Sequence, residues 1–353
     1  MAVVSNFFAG ANSGEGFRNL FHEIMAPEET YDMILLKGGP GVGKNTFMRE
    51  VGKTFESVGV DVEYLWCSGD PDSLDGVVIP DIHCAVVDAT SPHVMEPKFP
   101  AAVDRYVNLG QFYDIAAAKV CCEEIRRRTQ EYQKAYARAY HILKAARQVE
   151  VEAVRAAQNT VQTEKINRQI EGIVCQELGR RGEEAGKTKR RFLGGITHQG
   201  YVWRFDSVEA LCPRVYAVQD PFELAGEFFA RLHDAAENLG WDTIVCPSAE
   251  EMDRIEHLLI PGLGLAFVTT KSGMEYPGKL FRKIRLDALA ETDGKAAFQC
   301  RMASLLRQEA IGALQEAKAG HDALEAIYNP YVDFDGVRTL AALESGRLLS
   351  YLA

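Results

Sequence analysis

The chain has 353 residues, 47% hydrophobic and 25% charged, enough for two soluble domains that each bury their own core. Its formal net charge of −11 excludes broad, sequence-independent attraction to nucleic acid or to an anionic membrane. The eight cysteines, at 67, 84, 121, 122, 175, 212, 246 and 300, show no CxxC pair and no metal-ligand spacing, and read as reduced thiols of a cytoplasmic protein.

The N-terminus lacks a basic region and a long apolar core, and no stretch approaches the length of a membrane span. Phe7-Phe8-Ala9-Gly10 and the turn-rich Asn12-Ser13-Gly14-Glu15-Gly16 lead into apolar spacing at Phe17, Leu20, Phe21 and Ile24, predicted to cap a sheet. The alternative is that these glycines line a nucleotide base pocket.

Residues 34–48 combine an apolar strand, a glycine-rich turn and a helix start. Gly38 and Gly43 stand at Walker A spacing with Lys44 directly after, so successive backbone N–H groups can wrap a phosphate while the ammonium reaches its outer oxygens. Gly38, Gly39, Pro40, Gly41, Val42, Gly43, Lys44, Asn45 and Thr46 are therefore the candidate nucleotide-binding residues. Phe47, Met48, Val51 and Phe55 follow at helical spacing, which brings the positive end of a helix to the same place. The residue after the lysine should carry a hydroxyl for Mg²⁺, and here it is Asn45, whose amide oxygen is the alternative metal ligand. Thr46 can still bond an inner phosphate.

Residues 60–66 alternate as a second strand that ends in Cys67-Ser68-Gly69-Asp70-Pro71-Asp72-Ser73-Leu74-Asp75-Gly76. Asp70 or Asp72 either hold a metal-bound water or orient a nucleophile, as catalytic carboxylates, or belong to a solvated turn. The apolar run 82–87 ends in Asp88, which has the form of a Walker B acid and is the candidate catalytic and Mg²⁺-binding carboxylate. Thr90 and His93 leave the strand at the same edge, where either can sense a γ-phosphate or serve as an ordinary loop residue.

From Gln111 through Glu171 there is neither Gly nor Pro, and Ile115, Ala118, Cys122, Ile125, Thr129, Tyr132, Tyr136, Ala139, Leu143 and Ala146 alternate by three and four. This predicts an antiparallel helical hairpin with its turn between Arg147 and Thr163, either as packing alone or as a lever that transmits nucleotide state. The basic, glycine-punctuated stretch 179–191 reads as a linker, with an arginine donated to the phosphates as the alternative.

The two halves share one register. Pro221 follows Pro40 by 181 residues (221 − 40), and the same offset pairs Phe228 with Phe47, Gly240 with Gly59, and Ile260-Pro261 with Ile79-Pro80. In the second copy Lys44 is replaced by Ala225, Thr46 by Glu227 and Asp88 by Thr269, so a triphosphate should meet no cation and a nearby acid; a different ligand site at residues 269–272 is the alternative. Near the C-terminus His321 and Glu325 share a helix face, as a metal pair or as a hydrogen-bonded surface contact.

With Phe7-Phe8-Ala9-Gly10, Lys37 through Lys44, Cys67 through Gly76, Asp88 with Thr90, Pro92 and His93, and His321 through Glu325 followed by Tyr328 and Asp333-Phe334, the chain resembles a bacterial family of tandem P-loop ATPases of about this length. The resemblance covers nearly the whole chain. It differs at Asn45, where the family pattern has Ser, and at Asp220 to Gly226, where the family often has a second intact loop. It implies two tandem P-loop NTPase-like α/β/α units with mostly parallel sheets, each followed by a helical hairpin or extension, with boundaries at 1–112, 113–185, 186–290 and 291–353. The expected function is slow Mg²⁺-dependent ATP hydrolysis at one site in the N-terminal half. A small-molecule kinase and a nucleotide-gated interaction module, binding a protein partner or a second copy through its helices, are the alternatives.

Overall fold

The computed structural model describes residues 2–291 and 293–352. In chain order the elements are β1 (Val4–Phe8), β2 (Gly10–Ser13), β3 (Gly16–Asn19), β4 (Asp32–Lys37), α1 (Lys44–Ser57), β5 (Val62–Trp66), β6 (Leu74–Ile79), β7 (Cys84–Asp88), β8 (Asp104–Asn108), α2 (Ile115–Val120), α3 (Cys122–Gln158) and α4 (Thr163–Glu177). The second half continues with β9 (Thr188–Arg190), β10 (Gly194–Thr197), β11 (Gly200–Trp203), α5 (Phe205–Leu211), β12 (Arg214–Gln219), α6 (Ala225–Asn238), β13 (Thr243–Pro247), β14 (Ile255–Ile260), β15 (Leu265–Thr270), β16 (Arg282–Arg285), α7 (Gly294–Tyr328) and α8 (Phe334–Leu349).

The fold is mixed α/β, and the repeat is plain in its topology. One six-stranded sheet has the order β1-β5-β6-β7-β4-β8 and the other β9-β13-β14-β15-β12-β16, written here from its β9 edge. In each, a single strand, β6 or β14, runs antiparallel to both neighbours while the others pair in parallel. Helices α1 and α6 begin 181 residues apart (225 − 44). The loop before α6 is one residue shorter, because β4 and β12 end 182 residues apart (219 − 37).

The expected three-layer units are not independent. Alternate residues of both sheets, Met33, Leu35, Val78 and Val87 from one and Val215, Cys246, Leu259 and Val268 from the other, join one shared core into which Phe21, Ile24 and Phe205 are wedged. The longer helices α1, α4, α6 and α8 cover the outer faces, and of the inner faces, which a separate unit would give to a third layer, only a part meets the short helix α5, the rest being buried against the other half. A fully buried ion pair crosses this core. Arg191 Nε donates to Glu63 Oε1 at 2.5 Å, and Arg191 also donates to the Ile24 carbonyl at 2.7 Å. The basic stretch predicted as a linker is thus docked against the first half, and Arg191 is turned into the core rather than toward a phosphate. The turn-rich segments 10–19 and 194–203 form two hairpins that meet, Ile196 opposite Asn12, in a four-stranded antiparallel sheet between the halves.

The chain turns at 159–162, inside the predicted window, but α3 and α4 do not pack on each other as the predicted hairpin. Helix α3, 37 residues and about 55 Å long at 1.5 Å per residue, runs antiparallel to α7, with Tyr132 beside Gly320, Arg138 paired to Glu316 and Arg307 paired to Glu150. Helix α4 has only 15 residues and would leave most of the α3 seam uncovered, whereas α7 with 35 matches it in length. Alanines at 139 on α3 and at 310 and 313 on α7 let the two backbones approach closely in a cluster with Leu143 and Leu314. The two long helices carry the chain between halves, and their successors are exchanged. Helix α4 packs through Ile166, Ile170 and Ile173 on α6, and α8 packs through Val337, Ala341 and Leu348 on α1. Ion pairs of Arg347 with Asp32 and of Arg105 with Glu344 fasten α8 to the first sheet. Among the described residues no helix is long and apolar enough to cross a membrane.

Candidate functional site

The central strand β4 is buried from Met33 to Leu36, as a parallel strand covered on both faces must be, and it delivers the chain into the loop 38–43. Gly41 and Gly43 adopt φ of 71° and 95°, the left-handed region in which a side chain is strained. Gly41 is needed a second time: a Cβ there would lie 2.6 Å from the Asn329 side-chain amide. The loop is roofed by Tyr113, just before α2, and by the helices that return from the second half. Tyr113 Oη donates to the Pro40 carbonyl at 2.7 Å, and Phe334 and Val337 of α8 stand over Gly43.

Lys44 opens α1. Its ammonium donates to the carbonyls of Gly38 at 2.9 Å and Gly39 at 3.1 Å and stands 3.6 Å from Asp88 Oδ2. The Gly41 N–H donates to Glu325 Oε1 at 3.0 Å, so a carboxylate from α7 already sits at the amide cradle. Among the described residues, the N–H groups of Val42, Gly43, Lys44 and Asn45 meet no protein acceptor. Thr46 is exposed on the first turn of α1.

Asn45 does something other than what its position suggests. Its Oδ1 accepts from the Leu74 N–H at 3.1 Å and from Arg49 Nε at 3.1 Å, so both lone pairs are spent on fixing α1 to the start of β6. Service as a metal ligand would require the side chain to give up these bonds. Asp70 and Asp72 are likewise drawn elsewhere: Asp70 accepts from Ser73 Oγ at 2.8 Å and lies 3.5 Å from Lys318 Nζ, while Asp72 accepts from Gln199 Nε2 at 2.9 Å. They form the rim between hairpin β10–β11 and α7.

The acid that joins Asp88 is Asp75. Strands β6 and β7 pair with Gly76 opposite Val87, and one step further along the ladder sets Asp75 against Asp88, two carboxylates on one face. His93 completes the group, with Nε2 3.6 Å from Asp75 Oδ1 and its ring stacked on Phe21 at 4.3 Å. All three are buried, at 3%, 8% and 6% exposure for Asp75, Asp88 and His93. Asp88 Oδ1 accepts from the N–H and hydroxyl of Thr90, at 2.9 and 2.6 Å, so Thr90 positions the acid. Burial works against charge on His93, but Asp75 and Asp88 outweigh it and its pKa lies above the ordinary value. Cys67, nearby, is no candidate nucleophile, because burial and then Asp75 push its thiol well up.

At the equivalent place in the second half the loop carries its own anion. Asp220 Oδ1 accepts from the N–H groups of Phe222 at 3.3 Å and Leu224 at 2.8 Å, and Oδ2 accepts from that of Ala225 at 2.7 Å. The last of these donors opens α6, so the carboxylate caps that helix from within its own loop. Glu227, in the first turn of α6, is exposed. Thr269 donates its hydroxyl to the Glu256 carbonyl at 2.6 Å and Lys271 pairs with Glu256 at 3.5 Å, so the residues at this edge are engaged with one another. His321 Nδ1 is 3.9 Å from Glu325 Oε1, half-exposed beside the first loop.

Asp75 was within sight in the sequence but only the pairing register brings it to Asp88. Glu325 and Asp220 carried no signal as loop anions beyond their charge. No protein-family model matches the chain, and neither curated proteins nor solved structures provide a match.

Proposed function

We propose that the first half binds the phosphates of a nucleoside triphosphate, ATP, at loop 38–46 and hydrolyses it slowly with a divalent cation, Mg²⁺, near Asp88. The observation that carries this reading is the contrast between the two loops. Both hold a carboxylate at the start of a helix, but Asp220 belongs to its own loop and takes three N–H groups, whereas Glu325 arrives from α7 and takes one. A phosphate can replace Glu325 at the first loop and finds Lys44 beside it; at the second it would have to evict a carboxylate that is part of the loop. Asp88 is the residue that fits a cation here, and Asn45 fits one only after releasing Leu74 and Arg49. A bound cation would neutralise charge on the phosphates, and Lys44 and the loop amides would orient them. Eight free cysteines accord with a cytoplasmic setting. Calorimetric titration with a non-hydrolysable ATP analogue should give one site per chain; two sites would defeat the assignment of the second loop, and none would defeat the first.

The placement of Glu325 also favours the gated-module reading. Nucleotide must displace a side chain of α7, whose other end lies in the second half, so binding and the position of α7 are coupled. Glu325→Ala removes the competitor, and analogue affinity should rise about fivefold, the equivalent of roughly 1 kcal/mol for one hydrogen bond. Weaker binding in this variant would mean that Glu325 contacts the ligand instead of competing with it.

A further inference from the structure

We infer that Asp75, Asp88 and His93 form a binding site for a first-row divalent transition metal, which would occupy the place at Asp88 that the loop reading gives to Mg²⁺. The ligand atoms of the three side chains all lie within 4.8 Å of one another, on β6, on β7 and on the segment that follows β7. Three elements converge on a spot that is almost closed to solvent.

The independent observation is an unmet demand for a cation. Asp75 is 3% exposed and, among the described residues, its Oδ2 has no hydrogen-bond partner; His93 Nδ1, also buried, has none among them. The Asp75–His93 approach of 3.6 Å is too long for a hydrogen bond. Two carboxylates set side by side on one face repel, and His93, the cationic partner facing Asp75, approaches only its Oδ1, at 3.6 Å, so the buried Oδ2 is left uncompensated. Lys44 stands 3.6 Å from Asp88 Oδ2 but gives its hydrogen bonds to Gly38 and Gly39. A metal ion would satisfy Asp75 Oδ2, separate the carboxylates and take up an imidazole nitrogen.

The donor set selects the ion. Carboxylates alone would suit Mg²⁺ or Ca²⁺, whereas an imidazole with two carboxylates suits Mn²⁺, Fe²⁺, Co²⁺ or Zn²⁺. Three protein ligands leave coordination positions open, and Lys44 places them beside the loop. The site therefore supplies what the loss of a hydroxyl at position 45 took away. The inference rests on the loop reading only for that last role; the metal site stands or falls without nucleotide.

The test uses the full chain stripped of metal and titrated with Mn²⁺ alone, followed by the loss of the free-ion electron paramagnetic resonance signal. One Mn²⁺ should bind per chain and persist against excess Mg²⁺. Asp75→Asn and His93→Gln should each weaken it by more than about a hundredfold, beyond what loss of a neighbour that merely orients a ligand costs. Lys44→Ala should keep Mn²⁺ binding while weakening nucleotide binding, which separates this site from the loop reading. Thermal unfolding without metal checks the variants: Asp75→Asn should melt no lower than the parent, since it relieves a buried charge. No Mn²⁺ bound, binding unchanged in both ligand variants, or ready displacement by Mg²⁺ would each overturn the assignment.

Discussion

Lys44→Ala should weaken analogue binding by about 1.5–3 kcal/mol, between roughly tenfold and 150-fold, because it removes a charge-assisted contact to phosphate. The free protein supports a clean measurement. Lys44 is bonded there to two loop carbonyls that the roof over the loop leaves in place, so the fold should lose little when the side chain is cut back. Lys44→Arg should not rescue binding, since a planar fork cannot reproduce a point charge tucked against Gly38 and Gly39. Calorimetry of the three proteins decides: equal affinity in parent and Lys44→Ala would remove the phosphate site altogether.

The larger effect on stability is expected at the core between the sheets. Burial alone would raise the pKa of Glu63, yet Arg191 and Lys189 hold it at about 2. Arg191→Met leaves that carboxylate buried, with only the partly exposed Lys189 against it, and should cost about 3–5 kcal/mol in urea unfolding. The double variant with Glu63→Gln should recover part of the loss, because neither charge is then stranded. The sign of the pH effect follows from a depressed acid. The stability from ionised Glu63 is present above its unfolded pKa of about 4.5 and drains away as pH falls through about 2. Glu63→Gln should flatten the melting temperature against pH in that window. A loss below about 1 kcal/mol for Arg191→Met would mean that the surrounding core, and not the pair, joins the halves.

How much of this could be read in the sequence depends on how local each feature is. The strand, loop and helix around Lys44 are set by neighbours within fifteen residues of one another, so composition and spacing were enough. The repeat was legible because a single offset recurs at unrelated landmarks, and the matching strand orders now explain that offset. Asp75 was hidden for another reason: alternation says that a side chain lies on one of two faces, and only the register with β7 says which acid it meets. Asn45 looked like a metal ligand because its neighbours in sequence suggested one, whereas its bonds go to Leu74, 29 residues away. The α3 seam announced that a partner helix existed without naming it, since alanines and leucines at heptad spacing fit many partners. The docking of Arg191 depended on a carboxylate 128 residues earlier, beyond the reach of any local pattern.

The crossing of α4 and α8 has a consequence for how the protein is made. A ribosome finishes loop 38–46 long before it starts α8, yet Gly43 is covered by Phe334 and Val337, and Gly41 is held by Glu325. Phe47, Met48, Val51 and Phe55 share their cluster with Val337, Ala341 and Leu348, so the outer side of α1 stays partly bare throughout synthesis. Loop 38–46 therefore emerges well before the segment that completes it. A nascent chain is therefore barred from assembling its finished site until residues 334–349 have been added, and those same residues shield the apolar surface that would otherwise recruit chaperones or neighbouring chains.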